Sequence, residues 1–170
     1  LLNNLQLNQI ESDKVEALPL AVSTEFANSS TKIYLTVDRP GESCHQVGKS
    51  QNYLLQKIDP NKRKTRSVYC VSLASVVKNI TTYHDGPIHI KIDVDGIEED
   101  VCQSLFDEKS IHRISSLQIE LNPSLHSHQS LIQRLASVGY FYSEEQAKKS
   151  QRTSGNFKGF AEIVFKKAIP

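Results

Sequence analysis

Among its 170 residues the chain has no methionine and no tryptophan. With Leu1 first and no Met anywhere, residue 1 is expected not to be a translation start, and the chain to be part of something longer. There are three cysteines, Cys44, Cys70 and Cys102, and none sits in C-x-x-C spacing. An odd, unspaced set excludes a disulfide framework and a zinc ribbon. It fits a reduced, cytoplasmic compartment. No apolar run approaches the roughly 18 residues that a membrane span needs. Charge of one sign is not in excess either: 20 basic against 19 acidic residues leave a net charge of +1. A global basic field for nucleic acid is therefore missing. The run Lys57, Lys62, Arg63, Lys64 and Arg66 reads as a solvated connection. The seven glycines never form G-x-G, and no internal repeat shows.

What is present is one domain's worth of globular sequence, 38% apolar and 23% charged. Leu1 to Asn8 reads as a helix end with Leu1 and Leu5 on one face. Val15 to Val22 reads as a strand that Pro19 disturbs. Lys32 to Val37 alternates, and Arg39 to Asn52 reads as a loop. Ser67 to Val71 predicts a strand, and Ser72 caps a helix carrying Leu73, Val76, Val77 and Ile80. After the turn Asp85-Gly86-Pro87, Ile88 to Val94 alternates strictly. A helix follows with Ile97, Val101, Leu105 and Phe106. Leu117, Ile119 and Leu121 mark the next strand. Leu131, Ile132, Leu135 and Val138 mark another helix, which Gly139 ends. Tyr140 to Tyr142 is a short strand, Glu144 to Lys158 a polar excursion without a helix, and Phe160 to Phe165 a last strand. Strand–helix alternation from residue 67 predicts an α/β domain with parallel crossovers, its last two strands pairing antiparallel at an edge.

In such sheets ligands bind beyond the carboxyl ends of the strands. The segment Ile90-Lys91-Ile92-Asp93-Val94-Asp95-Gly96-Ile97-Glu98 is a strand ending in acids, then a glycine, then a helix. Lys91 and Asp93 share a face. They are either a structural ion pair or, for Asp93 at the strand's end, part of a site. Asp95 and Glu98 are either a capping box or functional acids.

The stretch "IHIKIDVDGIEEDV" (88–101) resembles the central signature of FkbM-type S-adenosylmethionine-dependent methyltransferases, a strand reading Lys-Ile-Asp-Val-Glu/Asp-Gly-x-Glu. The flanks resemble that family in order and spacing: "NNLQLN" (3–8), "LPLAVS" (18–23), "GESCHQVG" (41–48), "VSLASVV" (71–77), "LQIELN" (117–122) and "GNFKGFAEIVF" (155–165). Ala74 departs from it, standing where the family usually has Asp. The family also opens with a strand, a glycine-rich cofactor loop and a second strand ending in an acid that binds the ribose; nothing in this sequence matches those.

The resemblance implies a Rossmann-like class I methyltransferase sheet, mostly parallel with an antiparallel C-terminal edge and without its first two strands. Residues 1–170 would then be a partial methyltransferase domain, roughly its C-terminal two-thirds. It implies S-adenosyl-L-methionine as cofactor and O-methylation of a small molecule or sugar hydroxyl, with no metal. Asp93, His45 and Asp95 are the implied proton acceptors. Ala21, Ser23 and Asp93 lie on the cofactor side, and Ser43, Glu120 and Asn122 on the acceptor side. Two other readings stand beside this one. The first is a truncated, non-catalytic methyltransferase-like domain that binds a partner. The second is a metal-dependent glycosyltransferase that uses Asp93-Val94-Asp95 to hold a divalent cation. His126-Ser127-His128 reads as a polar turn rather than a metal site.

Overall fold

The computed structural model describes residues 7–9, 15–35, 45–52, 56–94 and 96–167. The chain is α/β, with two mixed four-stranded sheets and four α-helices among the described residues. The expected helix face of Leu1 and Leu5, and the site residues Ser43 and Asp95, lie outside them.

The first sheet has the order β1-β4-β2-β3. Here β1 is Ala21–Val22, β2 Ser29–Leu35, β3 Gln46–Val47 and β4 Lys64–Val71. The expected strand from Val15 shrinks to two residues, paired parallel as Ala21↔Cys70 and Val22↔Val71. Pro19 lacks the N–H that a longer ladder would use. The strand expected from Lys32 begins at Ser29, and the expected loop carries β3. The basic connection is part of the fold: Pro60–Lys62 form a 3-10 turn, and Lys64 to Arg66 already belong to β4. That strand pairs antiparallel with β2 over seven residues, Ser29↔Cys70 through Leu35↔Lys64.

Ser72 then caps α1 (Leu73–Ile80), its hydroxyl accepting from the Ser75 N–H. Helix α1 leads to the second sheet, of order β5-β6-β8-β7, built from β5 (Ile88–Ile92), β6 (Ile114–Leu121), β7 (Tyr140–Tyr142) and β8 (Ala161–Lys167). Strand β5 runs parallel to β6 through α2 (Glu98–Asp107), the expected crossover. Strand β8 runs antiparallel to both neighbours, with β7 outside it at the edge. The two C-terminal strands pair as expected. The expectation of a mostly parallel sheet does not hold: antiparallel ladders outnumber parallel ones, because the β2–β4 ribbon forms a sheet of its own and β8 is inserted between β6 and β7.

Helix α3 (His126–Ser137) follows β6 and stops at Gly139, whose φ of +89° suits glycine. The polar excursion contains a helix that periodicity did not show, α4 (Glu144–Ser150), capped by Ser143. Its burial is slight, so it carries no apolar stripe to read. Val77 of α1, Val101 and Leu105 of α2, and Leu131 and Leu135 of α3 pack on one face of the second sheet. There they meet Ile92, Leu117, Ile119, Leu121, Ile163 and Phe165. That face is the core. Among the described residues no helix is long and apolar enough to cross a membrane.

Candidate functional site

Beyond the carboxyl ends of β1, β5 and β6 lies a cleft of about 190 Å³. Glu25 and Phe26 line it from the turn after β1, and Val47, Lys49 and Gln51 from β3 and its continuation. Gly96, Ile97, Glu99 and Asp100 come from the start of α2, and Ser127 from the first turn of α3. Lys49 forms an ion pair with Glu25 at its rim. The Ser127 hydroxyl is buried and meets no hydrogen-bond partner among the described residues.

Asp100 fixes one wall. Its carboxylate accepts the Ser23 hydroxyl at 2.6 Å and the backbone N–H groups of Thr24 and Glu25 at 3.2 and 3.0 Å. Thr24 adds a second tie: its hydroxyl donates to the Asp100 carbonyl at 2.6 Å and accepts the Ser104 N–H at 3.1 Å. Three donors on one carboxylate are strong because the acceptor is charged.

Asp93 lies at the end of β5 on the sheet face opposite the core. Its side chain is 50% exposed, 3.4 Å from Lys91 Nζ. The alternation of the ladder puts Lys91, Asp93, Gln118, Glu120 and Glu162 all on that face. Lys91 also reaches Glu162 at 3.2 Å, and Gln118 donates to the same carboxylate at 2.5 Å. Glu162, by hydrogen bond and charge, and then Asp93 hold the Lys91 ammonium above the usual lysine range. Glu120 is buried and takes Arg152 at 2.6 Å.

Between the ends of β5 and β6 lies a buried pair that sequence reading missed. Glu98 accepts the Gly96 N–H on one oxygen at 3.0 Å and bonds His128 Nε2 with the other at 3.1 Å. His128 Nδ1 accepts the Asn122 N–H at 2.8 Å. A backbone N–H can only donate, so the imidazole proton sits on Nε2. Helix α2 begins at Glu98, with Ile97 at its N-cap and Gly96 before it at φ +108°; Asp95, the other half of the capping-box alternative, lies outside the described residues. His128 is no turn residue but part of α3. It stands three and seven positions before Leu131 and Leu135, on their face, and that spacing was the available signal. Beside the pair, burial foremost and then the Glu98 charge push the Cys102 thiol far up, so it supplies no thiolate.

The predicted site residues are thus scattered. Ala21 and Ser23 are buried behind the cleft wall, the Ser23 hydroxyl given to Asp100. His45 is partly buried just before β3, next to the strand that lines the cleft. Asn122 is buried, its side-chain oxygen accepting the Ser124 N–H at 3.0 Å. Of the two described carboxylates among them, Asp93 is open to solvent and Glu120 is buried. A pocket for a ligand of cofactor size holds about 300 Å³ or more. With about 190 Å³ open and Ala21 and Ser23 buried, this cleft does not fit a whole S-adenosylmethionine. Nor does any group of three His, Cys, Asp or Glu among them converge on a metal position. In comparisons with known proteins the chain matches no family model, no curated protein and no solved structure.

Proposed function

We propose that this chain supplies the acceptor side of an S-adenosylmethionine-dependent O-methyltransferase acting on a small molecule or a sugar hydroxyl. The observation that carries the reading is the delivery of Asp93. The first strand of a parallel β5–α2–β6 unit ends there, at the carboxyl end where open sheets bind ligands, and the acid stands half exposed before a glycine turn. The sequence of that unit is also where the family resemblance is densest. A strand pair of this kind, followed by an antiparallel β8, is compatible with the Rossmann-like sheet that the resemblance implies.

The residues of the chain take restricted parts in this reading. Asp93 accepts the proton that a hydroxyl loses when it attacks, provided the oxygen comes within about 2.6–3.2 Å. The acids and amides around it, on the same sheet face, orient a polyhydroxy acceptor. Ser23 and Asp100 hold the neighbouring wall. The cofactor's contribution is a sulfonium methyl group.

The test uses the natural full-length protein with methyl-labelled S-adenosylmethionine and a panel of sugars and small alcohols. Label on an acceptor oxygen is the expected result. Absence of label, together with no calorimetric binding of S-adenosylmethionine, overturns the proposal in favour of a non-catalytic binding domain. That second reading draws on one observation: Ser23, Glu120 and Asn122 are already satisfied from within. If transfer of a sugar appears instead and stops on chelation, the metal-dependent glycosyltransferase is the right class.

A further inference from the structure

We propose that Glu98 and His128 are positioning residues: a buried, polarity-locked relay that fixes the turn after Asp93 against the loop after β6. For its catalytic consequence this rests on the methyl-transfer reading above. The geometry itself does not.

The relay has three hydrogen bonds, and they converge on the Glu98 carboxylate from its two ends. The Asn122 N–H donates to His128 Nδ1 at 2.8 Å, and His128 Nε2–H donates to Glu98 at 3.1 Å. The other oxygen of Glu98 takes the Gly96 N–H at 3.0 Å. Both ends are backbone amides, which cannot reverse their polarity. One end belongs to the turn between Asp93 and α2, the other to the first residue after β6. The side chains of Glu98 and His128 are 1% and 0% exposed. The His128 ring also stands edge-on to Phe160, with centroids 6.0 Å apart. Such burial holds the two strand ends at one separation, with no solvent to exchange into the bonds.

A buried ionisable pair is weak evidence for stability, because apolar replacements of similar volume often fold as well. What the pair supplies is geometry. The carboxylate offers two acceptors to two donors that converge on it. No neutral isostere does so: glutamine has one carbonyl oxygen, and its NH2 must face either Gly96 N–H or His128 Nε2–H. Shifting the histidine proton to Nδ1 does not relieve this, since it then meets the Asn122 N–H. E98Q therefore loosens one strand end relative to the other, whichever tautomer it adopts.

The experiment uses the full-length protein. In the wild type, 15N spectra of His128 should show Nδ1 as the bare, accepting nitrogen and Nε2 as the protonated one, with slow exchange at the Gly96 and Asn122 amides. In E98Q one of those amides should exchange faster. Turnover should fall by roughly a hundredfold, as expected for a misplacement of about 1 Å, while the affinity for S-adenosylmethionine stays unchanged. If E98Q fails to fold, the apolar double variant E98L/H128L takes its place. It should melt below the wild type, because the Gly96 and Asn122 N–H groups lose their acceptors, and at a temperature where it is folded it should still lose turnover. Full turnover in a folded E98L/H128L, or a wild-type His128 protonated on Nδ1, overturns the proposal. If the wild type transfers no methyl group at all, the functional reading fails while the tautomer and the exchange rates still decide the relay.

Discussion

Two side chains show how much of this fold rests on single acceptors and donors. Asp100 collects three donors from Ser23, Thr24 and Glu25. D100N keeps the shape but turns one oxygen into a donor, so at least one of those groups loses its partner. A charged hydrogen bond is worth about 1.5–3 kcal/mol, so D100N should lower stability by about 2–3 kcal/mol. The urea midpoint reads it; a change below about 0.5 kcal/mol, within ordinary surface substitution, would mean the loop is held otherwise. Tyr140 is the second. Its buried hydroxyl is shared between the carbonyls of Ile111 at 2.9 Å and Ile114 at 2.5 Å. Burial pushes its pKa from 10.0 up to about 12. A raised acid keeps its neutral form in the fold, so its stabilisation is whole below pH 10.0 and is lost as pH rises toward and past about 12. Y140F should cost about 1 kcal/mol near neutral pH. That gap should close across the same alkaline window, as paired urea titrations of the two proteins would reveal. A gap independent of pH would show that the phenol does not titrate with the fold.

At the scale of elements, α4 carries the clearest consequence. Strand β7 covers only Phe165 to Lys167 of β8, which leaves the earlier part of that edge without a strand partner. Gln146 of α4 fills in for one. Its amide donates to the Glu162 carbonyl at 2.8 Å and accepts the Val164 N–H at 3.1 Å, and Ser150 adds a bond to the same carbonyl at 2.8 Å. Q146A strands the Val164 N–H, at a cost of about 1–3 kcal/mol. Amide exchange at Val164 should quicken before the global transition; protection as in the wild type would rule this out. This helix is also where the sequence was least legible. Apolar periodicity exposed α1, α2, α3 and the strands they cover, because those elements bury a stripe. Helix α4 meets the sheet through amides and hydroxyls, which leave no stripe. The split into two sheets was hidden for a related reason: the run Ser67–Val71 marks a strand but not which strand pairs with it. In the site, Asp93 was legible from its place at a strand end. Glu98 was legible as a helix-start acid, but its partner His128 lay 30 residues away across the crossover.

On the whole molecule, the second sheet divides its tasks between its faces. Helices α1, α2 and α3 bury the apolar side, and the opposite side carries Lys91, Asp93, Gln118, Glu120 and Glu162. Folding free energy is concentrated on the first face and charge on the second, so the two faces should respond differently to mutation. Asp93 is the place to ask. It is half exposed and shares Lys91 with Glu162. In D93N the lysine keeps its stronger partner, and exposed ion pairs contribute only about 0–1 kcal/mol. Melting should therefore shift little. If Asp93 takes the acceptor's proton, turnover should drop by about two to four powers of ten, the usual worth of a positioned base. Binding of S-adenosylmethionine to the full-length protein should be spared. E162Q is the matched control: it disturbs both Lys91 and Gln118, so it should cost more stability than D93N and less turnover. The reverse ordering, a D93N protein that melts early but turns over normally, would make Asp93 a brace for Lys91 and move the chemistry elsewhere.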